Sequence, residues 1–299
     1  MTLRPLAHAD LDAAHRLWTR GVPLDPLSRD ALADQLWQTP PEPDAPDLRL
    51  AATVGGALAG VGVGALWPGP GGLRGSVRLL AVAPERRRRG VGRALLDALA
   101  EALRQRGART LHLLSAAPTY LTPGVDLRDA GALAFAAACG FRPSGEAVDL
   151  GVALDADDWR TDADEARLAA ADLTVRRATE RDAGALGALL DAHWPAWRPE
   201  AQRALDRRAL HLALRGDEAV GFAAHGTAHP SLARFGPMGT ATEARGLGVG
   251  AVLLRRCLAD LAAAGHRHAT ISWAAALPFY ERACGARVTR RYRRFERAL

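Results

Sequence analysis

Apolar positions along the chain fall into two patterns that alternate. Short apolar runs bounded by Gly, Pro or Asp read as strands, and longer Leu- and Ala-rich stretches with apolar residues at helical spacing read as helices. An opening strand at Leu3–Leu6 leads into a helix begun by Asp, and Ser28 caps a second helix. Strands at 48–54 and 58–67 follow, joined by a Gly-Gly hairpin turn. A strand at 76–83 runs into a glycine loop and a long amphipathic helix, 90–106, which Gly107 terminates. A strand, a short helix and a last strand come next.

The same succession then recurs. Thr174–Ala178 opens it, Pro199-Glu200 starts the second helix, and strands fall at 209–215, 218–225 and 233–241. A glycine loop and a helix at 248–264 follow, closed by Gly265. Individual residues repeat too. Leu3-Arg4 with Asp10 recurs as Val175-Arg176 with Asp182, Gly90-Val-Gly as Gly248-Val-Gly, and Ala138-Cys-Gly140 as Ala283-Cys-Gly285. Order is kept while spacing drifts, as expected of a duplicated domain whose loops have changed length. The expected fold is α/β: two tandem domains, each a mixed, mostly antiparallel sheet flanked by helices. The expected bounds are 1–154 for the first, 155–172 for an acidic linker with a short helix, and 173–299 for the second.

Composition narrows the class. With 48% hydrophobic and 24% charged residues the chain is ordinary for a globular protein, and no apolar run is long enough to span a bilayer. Asp10 and Asp12 stand where a signal peptide needs an apolar core. Three Cys make no disulfide framework. A cytoplasmic protein with no membrane partner is expected. The net charge of +6 comes from Arg alone, since the chain has no Lys. It splits as +2, −5 and +9 over the three segments, so the basic excess sits in the second copy.

The chemistry is concentrated in Arg87-Arg-Arg-Gly90-Val-Gly92 and Arg245-Gly-Leu-Gly248-Val-Gly250. Each loop follows an apolar strand and opens a helix, where free N–H groups and the helix dipole favour a pyrophosphate. One such loop alone is equally a plain turn; two in matching context are not. A lysine-dependent phosphate loop is impossible here, and Gly60-Val-Gly-Val-Gly64 lies inside a strand with no helix after it, as a bulge or close packing would require.

These residues resemble the GNAT superfamily of acyl-CoA-dependent N-acetyltransferases, whose cofactor loop has the form Gln/Arg-x-x-Gly-x-Gly/Ala. Phe235 to Gly250 resembles its acetyl-CoA strand and loop, and Pro278 to Gly285 the helix after the splayed fifth strand. The first copy is similar over Leu79–Leu96, Tyr120–Asp126 and Ala134–Phe141. The resemblance implies acetyl transfer from acetyl-CoA, as co-substrate, to a primary amine of a small molecule or peptide. Backbone N–H groups of Arg245, Gly246, Leu247, Gly248, Val249 and Gly250 would hold the pyrophosphate. Met238, Gly239 and Thr240 would pair with the pantetheine arm and polarise the thioester carbonyl. The matching cofactor-binding residues in the first copy are Leu80, Ala81, Val82, Arg87, Arg88, Arg89, Gly90, Val91 and Gly92. Tyr280 stands where family members protonate the departing thiolate, whereas the first copy has Phe135. This asymmetry favours the second domain as the catalytic one.

His225, ending a strand beside the expected cleft, is the candidate base, against a structural reading of the same residue. The family's Asn after the fifth strand is missing, leaving Ser272 and Ser115 as substitutes. Arg290 to Arg297 interleaves Arg with aromatics, which reads as a terminal strand before a nucleic-acid surface. No His, Cys and carboxylate cluster has metal-ligand spacing, so no metal is expected. The alternative function is a non-catalytic acyl-CoA-binding sensor or interaction protein.

Overall fold

A computed structural model describes residues 1–37, 45–69, 72–115 and 120–299. It divides into two compact units, Met1–Ala147 with Arg291–Leu299, and Val148–Arg290. Each is a mixed α/β layer structure, as the repeated pattern implied.

Unit 1 runs β1 (Thr2–Pro5), α1 (Leu11–Gly21), α2 (Arg29–Trp37), β2 (Arg49–Val54), β3 (Ala57–Gly69), β4 (Gly72–Val82), α3 (Val91–Gln105), β5 (Thr110–Leu113), β6 (Val125–Asp126), α4 (Ala130–Ala138) and the start of β7 (Arg142–Ala153). Unit 2 takes the rest of β7, then α5 (Asp162–Ala169), β8 (Thr174–Arg177), α6 (Ala183–His193), α7 (Arg198–Asp206), β9 (Leu210–Arg215), β10 (Glu218–His225), β11 (Arg234–Thr240), α8 (Val249–Ala263), β12 (His268–Ile271) and α9 (Leu277–Cys284). Most of the final strand, β13 (Arg287–Ala298), returns to unit 1.

The strand order in unit 1 is β1-β2-β3-β4-β5-β13, with β6 against β13; in unit 2 it is β8-β9-β10-β11-β12-β7. Within the two units, β4/β5 and β11/β12 are the parallel pairs among the described residues. In both sheets the last strand comes from the other half of the sequence. The terminal Arg-rich segment is that strand. Tyr292 and Phe295 are buried, while Arg297 donates to the Cys139 carbonyl at 2.8 Å and lies over the Phe141 ring.

The long helix of each unit buries its apolar stripe on the sheet. Val91, Leu95, Leu96, Leu99 and Leu103 of α3 pack on Leu50, Ala52 and Val77; Val249, Val252, Leu253, Cys257 and Leu261 of α8 pack on Val220 and Ala223. Each such Leu contributes roughly 1.5–3 kcal/mol by leaving water. Gly60, Gly62 and Gly64 lie directly under α3, where an added Cβ would come within 2.9–3.2 Å of Leu95, Leu99 and Leu48. They are close-packing positions. In unit 2, α6 and α7 cover the opposite sheet face through Leu186, Leu190, Ala201, Leu205, Leu210 and Phe222. The acidic segment is docked by charge: Asp157 takes Arg255 of α8 at 2.9 Å and Glu165 takes Arg256 at 2.6 Å.

Candidate active site

Both glycine loops adopt the same backbone. Arg88 and Gly90 have φ of 59° and 83°, and Gly246 and Gly248 have 79° and 93°. Alternating left-handed residues turn successive N–H groups towards one side, forming an anion-binding concavity. The N–H of Arg87 is taken by Pro84 and that of Arg245 by Thr242, and the helical ladders begin at Ala94 and Ala251. Between those points the N–H groups of 88–93 and 246–250 have no backbone acceptor among the described residues. A left-handed arginine is a strained choice, and unit 1 holds it at the same place where unit 2 has Gly246.

The leading arginine of each loop turns inward. Arg87 Nε donates to the Val82 carbonyl at 3.4 Å and Nη2 to Gly21 at 2.6 Å, and Arg245 Nε donates to Thr240 at 3.1 Å. Both therefore brace the loop against its preceding strand.

The strands before the loops part from their parallel neighbours. β11 pairs with β12 only at Arg234↔Thr270 and Phe235↔Ile271, then continues to Thr240. β4 pairs with β5 from Arg74↔Thr110 to Val77↔Leu113 and continues to Val82. Met238–Thr240 and Leu80–Val82 thus use one edge for β10 and β3 and leave the other open. Beside each parting the Ser272 and Ser115 hydroxyls are sealed from solvent without a hydrogen-bond partner among the described residues. An orphaned buried hydroxyl costs about 1–3 kcal/mol; Ser115 stands two residues past the last β4/β5 pair and Ser272 one residue past the last β11/β12 pair. Open strand edge, unfilled N–H groups and orphaned hydroxyl suit an extended amide chain ending in a pyrophosphate, the chemistry of acetyl-CoA.

Each of these strands also carries a bulge. Arg78 is the extra residue between Val63↔Leu79 and Gly64↔Val77; in unit 2, Gly236-Pro237 occupies the irregularity between Ala223↔Met238 and His225↔Phe235.

Tyr280, on α9, meets Phe235 edge-on at 6.2 Å between ring centroids, at the point where β11 and β12 separate. Its neighbour Phe279 lies 3.5 Å from where a Cβ on Gly250 would stand, at the start of α8. Burial, with a smaller contribution from Cys284, pushes the Tyr280 phenol up to about 12. It is therefore protonated at neutral pH, and its hydroxyl has no hydrogen-bond partner among the described residues. In unit 1 the ring against the equivalent Gly92 is Phe135, 3.3 Å from an added Cβ. By that contact Phe135 matches Phe279, and Tyr280 is matched by fully buried Ala136.

His225 is not brought together with Tyr280. Its Nε2 faces Asp260 at 3.2 Å, beside His211 Nε2 at 2.7 Å and the Arg177 guanidinium. Asp260 lies ten residues beyond Gly250 along α8, about 15 Å away. Burial would raise the Asp260 carboxyl, but the three hydrogen bonds from His211, His225 and Arg177 outweigh it and hold it well below the usual carboxylate range. Both imidazoles must carry a proton on Nε2 to donate. His225→Ala is expected to lower unfolding stability by about 1–3 kcal/mol and leave catalysis per folded molecule unchanged. Denaturant titration beside initial rates checks this; a collapse of kcat at unchanged stability would return His225 to the chemistry.

Burial raises the thiols of Cys139, Cys257 and Cys284, which keeps them inert. Among the described residues no three His, Cys, Asp or Glu side chains group as a metal site, and no helix is long and apolar enough to cross a membrane.

Comparison with known proteins gives the same outline. The model of the acetyltransferase (GNAT) family matches residues 11–141 and 178–286. A GCN5-related glucosamine N-acetyltransferase region of a fungal multi-domain GH3 β-N-acetylglucosaminidase superposes with a TM-score of 0.82 at 23% identity, over 99% of this chain and 38% of that one. A GCN5-related N-acetyltransferase from Sphaerobacter thermophilus gives 0.67 at 19% identity, covering 99% and 95%. A tandem GNAT protein from the clavulanic acid biosynthesis pathway gives 0.68 at 20%, covering 99% and 98%. At these identities the structures report the shared fold. No curated protein sequence matches.

Proposed function

The chain belongs to the acetyltransferase (GNAT) family, and we propose that it transfers the acetyl group of acetyl-CoA to a primary amine of a small molecule or peptide, in unit 2. The observation that carries this reading is Tyr280: a protonated, unpartnered phenol at the separation of β11 and β12, beside the anion-binding loop. Acetyl-CoA supplies the activated acyl thioester. The loop N–H groups of 246–250 hold its pyrophosphate, and the open edge of Met238–Thr240 takes its amide groups as a further strand would. Ser272 gains a hydrogen-bond partner there. Tyr280 keeps its proton available to the departing sulfur.

Unit 1 has the same loop backbone, the same separated strands and the orphaned Ser115, but Ala136 stands where unit 2 has Tyr280. Its proposed part is to bind an acyl-CoA without transferring from it. Incubation with acetyl-CoA and a panel of primary amines should yield free CoA thiol in step with amine heavier by one acetyl group. Tight acetyl-CoA binding without any such product would replace transfer with a sensing role.

A further inference from the structure

We infer that Glu200, beside the β11 bulge of unit 2, receives the ammonium group of an aliphatic amine acceptor and takes its proton. This rests on the proposed acetyl transfer and assigns the acceptor end of that site.

Glu200 is in the first turn of α7 and is only 8% exposed. No hydrogen bond or ion pair holds its carboxyl among the described residues. Arg203 of its own helix is the one counter-charge it feels among the described residues. The sheet face and α6 opposite α7 contribute Leu186, Leu190, Leu210, Phe222 and Ala224. Arg203 itself donates to the Thr227 carbonyl at 3.4 Å.

Two contacts place it along the sheet. One turn before Glu200, Trp197 packs on Phe222, which pairs with Gly239 of β11. One turn after it, Arg203 reaches Thr227, whose hydroxyl donates to the Gly236 carbonyl at 3.4 Å. Glu200 therefore lies between, over the stretch of β10 that faces the Gly236-Pro237 bulge. Trp194, stacked on Trp197, closes one side so tightly that a Cβ on Gly239 would stand 2.6 Å from its ring. At Gly236 an added Cβ would meet nothing within 4 Å. The bulge is open.

Unit 1 fills the same place from within. Its bulge residue, Arg78, is 1% exposed and donates to the Gln35 side chain and carbonyl on α2. Unit 1 supplies its own cation at the bulge, whereas unit 2 has a carboxyl, an aromatic wall and space. A buried carboxylate is costly without a hydrogen-bonded counter-ion, and a protonated alkylamine can supply that partner while its cation lies against the Trp194 ring.

The step balances. With the carboxyl ionised, which the folded protein reaches only above about 8, the ammonium proton passes to Glu200, the amine nitrogen bonds to the acetyl carbon of the acyl thioester and the C–S bond breaks. The thiolate takes its proton from Tyr280, and the second proton that the nitrogen sheds in becoming an amide returns to the Tyr280 phenolate. An acceptor that is already neutral, such as an arylamine, does not need Glu200.

The test compares 2-phenylethylamine with aniline in the parent protein and in Glu200→Gln, which keeps the shape and removes the ionisable group. The expected result is a loss of about 10²–10⁴ in kcat/KM for 2-phenylethylamine, no loss for aniline, unchanged acetyl-CoA affinity, and disappearance of the acidic limb of the pH profile. Equal losses for the two amines, or none for either, would overturn the inference. If the parent acetylates neither amine, it is the transfer reading that fails. Binding of 2-phenylethylamine, followed by tryptophan fluorescence, then decides the site: weaker binding in Glu200→Gln supports it, and equal binding removes it.

Discussion

Tyr280→Phe is expected to lose about 10²–10⁴ in turnover while acetyl-CoA binding stays as it was. The phenol is the only difference, so packing on Phe235 and Phe279 is kept. Burial holds the hydroxyl protonated up to about 12, which makes it a donor throughout the working range. The departing thiolate develops its charge as the C–S bond breaks, and removing its proton donor raises that barrier directly. Acetyl-CoA titration and steady-state rates separate the two effects. Loss of binding together with rate would mean that Tyr280 shapes the cleft; unchanged rate would remove it from the mechanism. Phe135→Leu in unit 1 should leave turnover alone.

The second large effect is on stability. Burial pushes Glu200 up to about 8, against a small opposing pull from Arg203. Between the ordinary glutamate value and about 8, the folded protein holds a proton that the unfolded chain has released. Stability must therefore fall as pH rises through that window and level off above it. A shift from 4.5 to about 8 corresponds to several kcal/mol at about 1.4 kcal/mol per unit. Glu200→Gln should flatten the decline. Asp260 acts in the opposite sense and elsewhere on the scale, because its depressed value gives stability that is lost only as pH falls below the usual carboxylate range. Urea unfolding at a series of pH values from 5 to 9, in both proteins, isolates the glutamate. A parent protein whose stability does not fall over that range would show that the carboxyl is solvated.

What the sequence disclosed is what residue letters encode locally. Gly90 and Gly248 announce left-handed turns, and the two helices after them carry the apolar spacing that buries α3 and α8. Arg88 carries no such signal: an arginine in the left-handed region is visible only in the backbone, through its match to Gly246. The parting of β11 from β12 is a matter of strand length and register, which composition does not set. His225 shows the limit most clearly. A strand-end histidine can be placed from alternation, but the irregularity between Ala223 and His225 and the partner Asp260, thirty-five residues on, decide where its ring goes. Glu200 was hidden by its own plausibility. An acid in the first turn of a helix complements the dipole, and only the inward face of α7 marks it as buried. Arg78 and Gly236 gain meaning only when the two bulges are set side by side.

The two loops offer the most direct test of where transfer takes place. A Cβ at Gly248 or at Gly90 would meet nothing within 4 Å, and both glycines are left-handed. Valine at either position therefore strains the loop by about 1–3 kcal/mol without crowding a neighbour. The quantity to measure is kcat/KM for acetyl-CoA with a saturating primary amine in Gly248→Val and Gly90→Val. Gly248→Val should lower it roughly 10- to 100-fold, and Gly90→Val should leave it unchanged. A loss confined to Gly90→Val would place the chemistry in unit 1 and contradict transfer in unit 2.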